Sequence, residues 1–259
     1  MKINKTLNHK KRKPYFSIIT VVKNDENNII KTIASVNSQS FKNFEYIIID
    51  GSSVDNTLKN IKKREKNFDI LISEKDKGIY YAMNKAAKIA SGKIIVYVNC
   101  GDKLTKNALR IIQKKFKVSK NLDFVFGTVR RHYTKNTILK YGVNIKRLNY
   151  NFDFATTHST GFFIKKKIFK KLKYFNTRYK YSADYDLYYR LIIKNKSCGS
   201  STKKNELIGI MKAGGYSSKI SFFEHLKEEM RIRYDNGQNL LLIMLIFFNA
   251  LIKHIIKAF

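Results

Sequence analysis

The chain has 259 residues, 44% of them hydrophobic, with 18 Phe and 16 Tyr. That is ample apolar side chain for a packed core and excludes an intrinsically disordered chain. A single proline, Pro14, excludes Pro-rich linkers, and two cysteines, Cys100 and Cys198, make neither a disulfide framework nor a zinc-ligand spacing, which fits a reducing compartment. Lys and Arg outnumber Asp and Glu by 52 to 19, a formal charge of +33. Such a field selects a negative partner: nucleic acid, an anionic membrane face or a phosphorylated small molecule. Lys, Asn and Ile are abundant together, as a biased genomic base composition would also produce, so charge alone does not choose among these partners.

The stretch from Met1 to Lys13 is polar and basic without the apolar run of a secretory signal, and residues 1–15 are expected to form a flexible arm. Phe16 to Val22 (FSIITVV) is a β-branched apolar run that suits a buried strand. Asn24 or Asp25 is placed to cap a helix with Ile29, Ile30, Ile33 and Val36 at helical spacing. Tyr46 to Ile49 predicts a second strand, ending at Asp50, and Gly51-Ser52-Ser53 a turn. Asp55 then opens a helix with Leu58 and Ile61 inward. A strand over Asp69–Ile72, a helix over Tyr80–Ala90, a strand over Ile94–Val98 and a helix over Leu104–Phe116 follow. Strands alternating with helices imply βαβ units and a mostly parallel sheet. Ligands of such sheets sit beyond the carboxyl ends of the strands, where Asp50 and Asp102 both fall.

Beyond residue 120 the spacing predicts strands at Asp123–Gly127, Gly161–Ile164 and Leu207–Met211, and a helix over Ala183–Lys194. The apolar tail Leu240–Ile252 (LLLIMLIFFNALI) has 13 residues. As a helix it spans about 20 Å against a hydrocarbon core of about 30 Å, too little to cross a bilayer. With Lys253, His254 and Lys257 after it, the tail either lies on an anionic membrane or docks on the domain or a second subunit.

The segment FSIITVVKNDENNIIKTIASVNSQSFKNFEYIIIDGSSVDNT resembles the opening of family 2 glycosyltransferases, and the resemblance continues through SEKDKGIYYAMNKAAKIASGKIIVYVNCGD. It is close over residues 16–118 and looser over 156–219. The resemblance implies an α/β GT-A fold, a mostly parallel central sheet flanked by helices with a C-terminal helical extension. Residues 16–118 would then be the donor-binding half, 119–219 the acceptor and catalytic half, and 220–259 a helical, membrane-associating extension. The implied activity is inverting transfer from a nucleoside-diphosphate sugar, a UDP-sugar first, to a lipid-linked or cell-surface glycan. The implied place is the inner face of the cytoplasmic membrane.

The resemblance also implies roles. Asp50 would accept a hydrogen bond from the nucleotide base, against the alternative of a turn residue. Asp102 matches the second aspartate of the family's metal-binding motif and would hold Mn²⁺ or Mg²⁺ on the donor diphosphate. The preceding position, acidic in many members, is Gly101 here. Asp76, Lys77 and Gly78 lie in the loop beside the donor, and Asn84 lies in the helix after it. Ala183-Asp184-Tyr185-Asp186-Leu187 with Arg190 resembles the family's ED-x-x-L-x-x-R helix with Ala in the Glu position, so Asp184 would be the base that takes the acceptor proton. Asp186 and Arg190 either contact acceptor or diphosphate or pair with each other at i,i+4. His158 would contact diphosphate or acceptor, or serve structurally, and Gly214-Gly215-Tyr216-Ser217 resembles a loop that closes over the donor.

Other classes remain to be weighed. A nucleic-acid-binding protein would gather its basic residues in one stripe, whereas these are spread over the chain. A nucleotidyltransferase would carry a Gly-rich phosphate loop where Lys23-Asn24-Asp25-Glu26 stands. A donor-binding member without catalysis would fit Gly101 and Ala183.

Overall fold

The computed structural model describes residues 3–5, 13–133, 136–150, 155, 159–212 and 220–258. In chain order the first half comprises β1 (Ile3–Lys5), β2 (Phe16–Val22), α1 (Ile29–Asn37), β3 (Phe44–Asp50), α2 (Thr57–Lys62), β4 (Ile70–Ser73), α3 (Ile79–Ile89), β5 (Ile94–Tyr97), β6 (Lys103–Leu104) and α4 (Ala108–Val118). The second half comprises β7 (Phe124–Phe126), β8 (Thr128–His132), β9 (Thr137–Lys140), β10 (Phe162–Lys165), α5 (Lys166–Lys171), α6 (Ala183–Tyr188), β11 (Gly199–Ser201), β12 (Leu207–Lys212), α7 (Phe222–Asp235) and α8 (Leu240–Ala258).

The main sheet has the order β1-β4-β3-β2-β5-β10-β7-β11. Strands β4, β3, β2 and β5 are parallel, as the alternation of strands and helices requires. β10 lies antiparallel between β5 and β7, so the sheet continues past the donor half with its direction reversed. Successive residues of the central strands point to opposite faces. Ile19, Val21, Ile47 and Ile49 join one buried cluster with α3 and α6, while Phe16, Ile18, Tyr46 and Ile48 join another with α1 and α4. Helices cover both faces, which is why these strands read as continuous apolar runs. A smaller sheet has the order β6-β12-β8-β9, and its first strand follows directly on Asp102.

Several expectations change. Part of the N-terminal arm is a strand: β1 pairs antiparallel with β4, satisfying backbone groups that an edge strand would leave open. The helix expected from Leu104 begins at Ala108, because Lys103 and Leu104 pair with Ile210 and Gly209. The N-cap of α1 is Asn28, whereas Asn24 and Asp25 reach the next loop: Val54 N donates to Asn24 Oδ1, and Asp25 N to Thr57 Oγ1. Helix α2 starts after Asn56, with Asp55 accepting from Thr57 N just ahead of it. The helix expected over Ala183–Lys194 is α-helical to Tyr188 and π-helical over Tyr189–Lys194.

Candidate active site

The carboxyl ends of β2, β3, β4 and β5 form one rim, and the candidate residues of the donor half gather there. Asp50 ends β3 opposite Val22 and is fully buried. An ionised side chain there needs partners. Ser53 supplies its backbone N–H and its hydroxyl (2.5 Å), and Ser73, at the end of β4, donates a second hydroxyl at 2.6 Å. The turn residues thus hold the carboxylate in place.

The next loop follows β4. Lys85 on α3 reaches back to Glu74 (2.5 Å) and Asp76 (2.6 Å), bracing the loop from inside. Asp76 Oδ2 is buried and makes no hydrogen bond among the described residues. Lys77 is exposed. Gly78 adopts φ 156° and ψ 170°, a region in practice reserved for glycine, and from it α3 departs. Asn84 does not face the rim: its amide donates to Phe175 O (2.8 Å) and accepts from Phe175 N (3.0 Å), so it fastens the 172–175 turn to α3.

Asp102 follows β5 and is almost fully buried. Thr160 Oγ1 donates to its Oδ2 at 2.6 Å, and burial pushes the carboxyl up to about 7. Nearby, Asn99 Nδ2 donates to Ser159 Oγ, while Asn99 Oδ1 is buried with no hydrogen-bond partner among the described residues. One carboxylate and one orphaned amide oxygen are hard donors that fit a small divalent cation taking its other ligands from phosphate and water. No group of three or more His, Cys, Asp or Glu that could hold a metal occurs among the described residues.

The second half contributes α6. Asp184, in its first turn, is half-buried, and its Oδ1 accepts from Tyr185 N (2.9 Å) and Tyr80 Oη (3.2 Å). Burial raises the Asp184 carboxyl above the usual range, and burial separately raises the carboxyl of the neighbouring Glu229 on α7 to about 8. Of the two readings for Asp186 and Arg190, the geometry matches the pairing. Asp186 is buried, bridged to Arg190 at 2.7 Å and bonded to Asn236, and Arg190 also donates to Leu172 O and Tyr174 O. His158 and Gly214-Gly215-Tyr216-Ser217 fall outside the described residues.

Sequence reasoning missed Asn99, Lys85, Thr160 and Tyr80. Tyr80 and Lys85 lie within the quoted stretch that begins SEKDKGIYY, and helical spacing from Gly78 was the signal that would have placed them. Thr160 comes to Asp102 from 58 residues away, which no local signal records.

Helix α8 runs for 19 residues, and no helix among the described residues is long and apolar enough to cross a membrane. Ile243 is buried, whereas Leu241 (72% exposed), Leu245 (67%), Phe248 and Ile252 lie along one open face.

Three comparisons place the chain among known proteins. An uncharacterized glycosyltransferase of Methanocaldococcus jannaschii, MJ1057, is 29% identical over 70% of this chain and 65% of its own length. The Escherichia coli enzyme WfgD, named UDP-Glc:alpha-D-GlcNAc-diphosphoundecaprenol beta-1,3-glucosyltransferase, is 31% identical over 52% of this chain and 53% of its own. The matches thus span about half to two thirds of these curated relatives. The crystal structure of S. aureus TarS 1-349 in complex with UDP superposes with a TM-score of 0.69 at 18% identity, covering 92% of this chain and 71% of that one, which shows the GT-A fold. Residues 17–193, more than half the chain, match the model of Glycosyl transferase family 2, and the chain belongs to that family.

Proposed function

We propose that the protein is an inverting, metal-assisted glycosyltransferase that moves a hexose from a UDP-sugar to a lipid-linked or cell-surface glycan. The observation that carries this reading is the hydrogen bond from Tyr80 to Asp184. Tyr80 stands in the first turn of α3, the helix that leaves the donor loop, so a carboxyl of the second half is moored beside the donor half. That is the arrangement a base needs to meet the anomeric carbon of a bound donor.

In this reading Asp50 and Asp76 receive the nucleotide, with Lys77 at the rim and Gly78 allowing close backbone approach. Asp102 and Asn99 would hold a divalent cation, Mn²⁺ or Mg²⁺, which when bound would supply positive charge to offset that of the departing diphosphate. Asp184 accepts the proton of the acceptor hydroxyl as its oxygen bonds to the anomeric carbon and the carbon–phosphate oxygen bond breaks. A carboxyl raised by burial is a better base than a solvated one. Direct displacement by one base inverts the anomeric centre. UDP in the TarS complex and the UDP-Glc and diphosphoundecaprenol in the name of WfgD support the donor and acceptor classes.

The open apolar face of α8, followed by Lys253 and His254, supports peripheral attachment to an anionic bilayer on the cytoplasmic side. The test of the whole reading is nucleotide release from UDP-, GDP- and dTDP-sugars with Mn²⁺, Mg²⁺ or EDTA. Metal-dependent release from one donor, abolished by Asp102→Ala, is expected. Release that persists in EDTA would overturn the metal role, and failure to bind any sugar nucleotide would overturn the function.

A further inference from the structure

Helix α7 begins beyond the last residue that matches the family, yet one of its faces grips the approach to Asp184. His225, Glu228, Ile232, Asp235 and Asn236 recur at spacings of three and four and so share a side of the helix. Each meets the segment around α6 or is buried: His225 lies 3.5 Å from Ser182 Oγ, Tyr179 Oη donates to Asp235 at 2.8 Å, Asn236 Nδ2 donates to Asp186, and Ile232 is fully buried.

Glu228 makes the tightest of these contacts. Lys180 N donates to its Oε1 at 2.6 Å, and Tyr181 N and Ser182 N donate to its Oε2 at 2.7 Å each. Three successive backbone N–H groups converge on one carboxylate, forming an anion nest filled by a side chain of the same protein. Hydrogen bonds to an ionised acceptor are the strong kind. The Tyr80 hydroxyl, whose one proton is shared between Asp184 Oδ1 and Tyr181 O (3.0 Å), meets the segment from the other side, so residues 180–182 are held between α3 and α7. Ser182, the N-cap of α6, makes no side-chain capping bond, and Glu228 instead supplies the acceptor for the backbone N–H groups of the turn preceding Asp184.

We infer that Glu228 is a positioning residue for the catalytic base, and that α7 is part of the active site. The inference rests on the reading of Asp184 as base. Fixing the three residues ahead of α6 sets where the first turn begins and hence where the Asp184 carboxyl lies relative to a donor bound on the opposite half. Displacements of about 1 Å at a reacting group cost on the order of 100-fold in rate. The neutral isostere Glu228→Gln keeps the shape but puts an NH₂ donor against a backbone donor.

The test compares wild type, Glu228→Gln, Asp184→Asn and the exposed same-helix control Lys227→Ala. UDP binding in the presence of Mn²⁺ is measured by calorimetry, UDP release from UDP-glucose or UDP-GlcNAc by turnover, and amide hydrogen exchange residue by residue. Glu228→Gln is expected to bind UDP as wild type does and to lose about 10- to 100-fold in kcat with little change in donor KM. Exchange is expected to speed up at residues 180–186 while β2 and β3 stay protected. Wild-type turnover in Glu228→Gln, with Asp184→Asn inactive, would overturn the positioning role alone. Loss of protection through the whole chain would overturn it in favour of a general stability role. Full turnover in Asp184→Asn would instead remove the base assignment beneath it.

Discussion

Arg190 closes on Asp186 one helical turn away, with Nε at 2.8 Å and Nη2 at 2.7 Å from the same carboxylate oxygen, and spends its remaining donors on the carbonyls of Leu172 and Tyr174. Those carbonyls flank Lys173 and Tyr174, both at positive φ (59° and 64°), so the pair fastens a left-handed turn to α6. Arg190→Ala would leave Asp186 buried and uncompensated and is expected to destabilise the fold by about 3–5 kcal/mol. In denaturant titration the midpoint should fall, while UDP affinity of the folded fraction stays at the wild-type value. A loss of affinity at unchanged stability would place Arg190 on the diphosphate instead.

Asp184→Asn is expected to lower kcat by roughly 100- to 10,000-fold, the usual contribution of a general base, and to leave UDP binding intact. Tyr80→Phe removes the hydroxyl that Asp184 Oδ1 and Tyr181 O share and should cost about tenfold. Steady-state kinetics with calorimetry checks both. Equal losses in binding and turnover would mean that the donor pocket had been damaged.

Glu229 sets a pH dependence of stability. Its carboxyl is raised by burial to about 8, above the ordinary glutamate value, so between about pH 4.5 and 8 the folded state holds more protons than the unfolded chain. Stability therefore falls as pH rises through that window. Thermal unfolding of the metal-free protein should show a lower Tm at pH 8 than at pH 6, and Glu229→Gln should flatten the slope. An unchanged slope in that variant would assign the dependence to other groups.

Replacing Leu241 and Leu245 on the open face of α8 with Glu should abolish co-sedimentation with vesicles containing anionic phospholipid, without changing UDP release from a water-soluble donor. Retained vesicle binding would move the attachment to the basic surface elsewhere on the chain.

The sequence carried most of the donor half. Phe16–Val22 and Tyr46–Ile49 are buried on both faces, and a strand in that position is predominantly apolar, with Ser17 and Thr20 satisfied by hydrogen bonds, so the pattern is local and legible. Asp50 and Asp102 were legible as candidates for the same reason: one ends such a run and the other follows shortly after one, at the strand ends where ligands of parallel sheets sit. As a candidate base Asp184 was legible through resemblance alone, because a half-buried aspartate in a first helical turn looks like any other.

What tertiary structure decided is which side chains meet. Asn84 stands in a motif that points to the donor, yet its amide closes on the Phe175 backbone 91 residues away. The strand at Ile3–Lys5 formed because β4 had an edge to fill, a property of the sheet that residues 1–15 do not record. Glu228 reads locally as a solvated glutamate among the charges of α7, and only the folded chain aims three backbone N–H groups at it. Periodicity fixes the face on which a residue lies. The partner on that face is set by long-range packing, which here pairs Asp186 with Arg190 and Asn236 and aims three backbone N–H groups at Glu228.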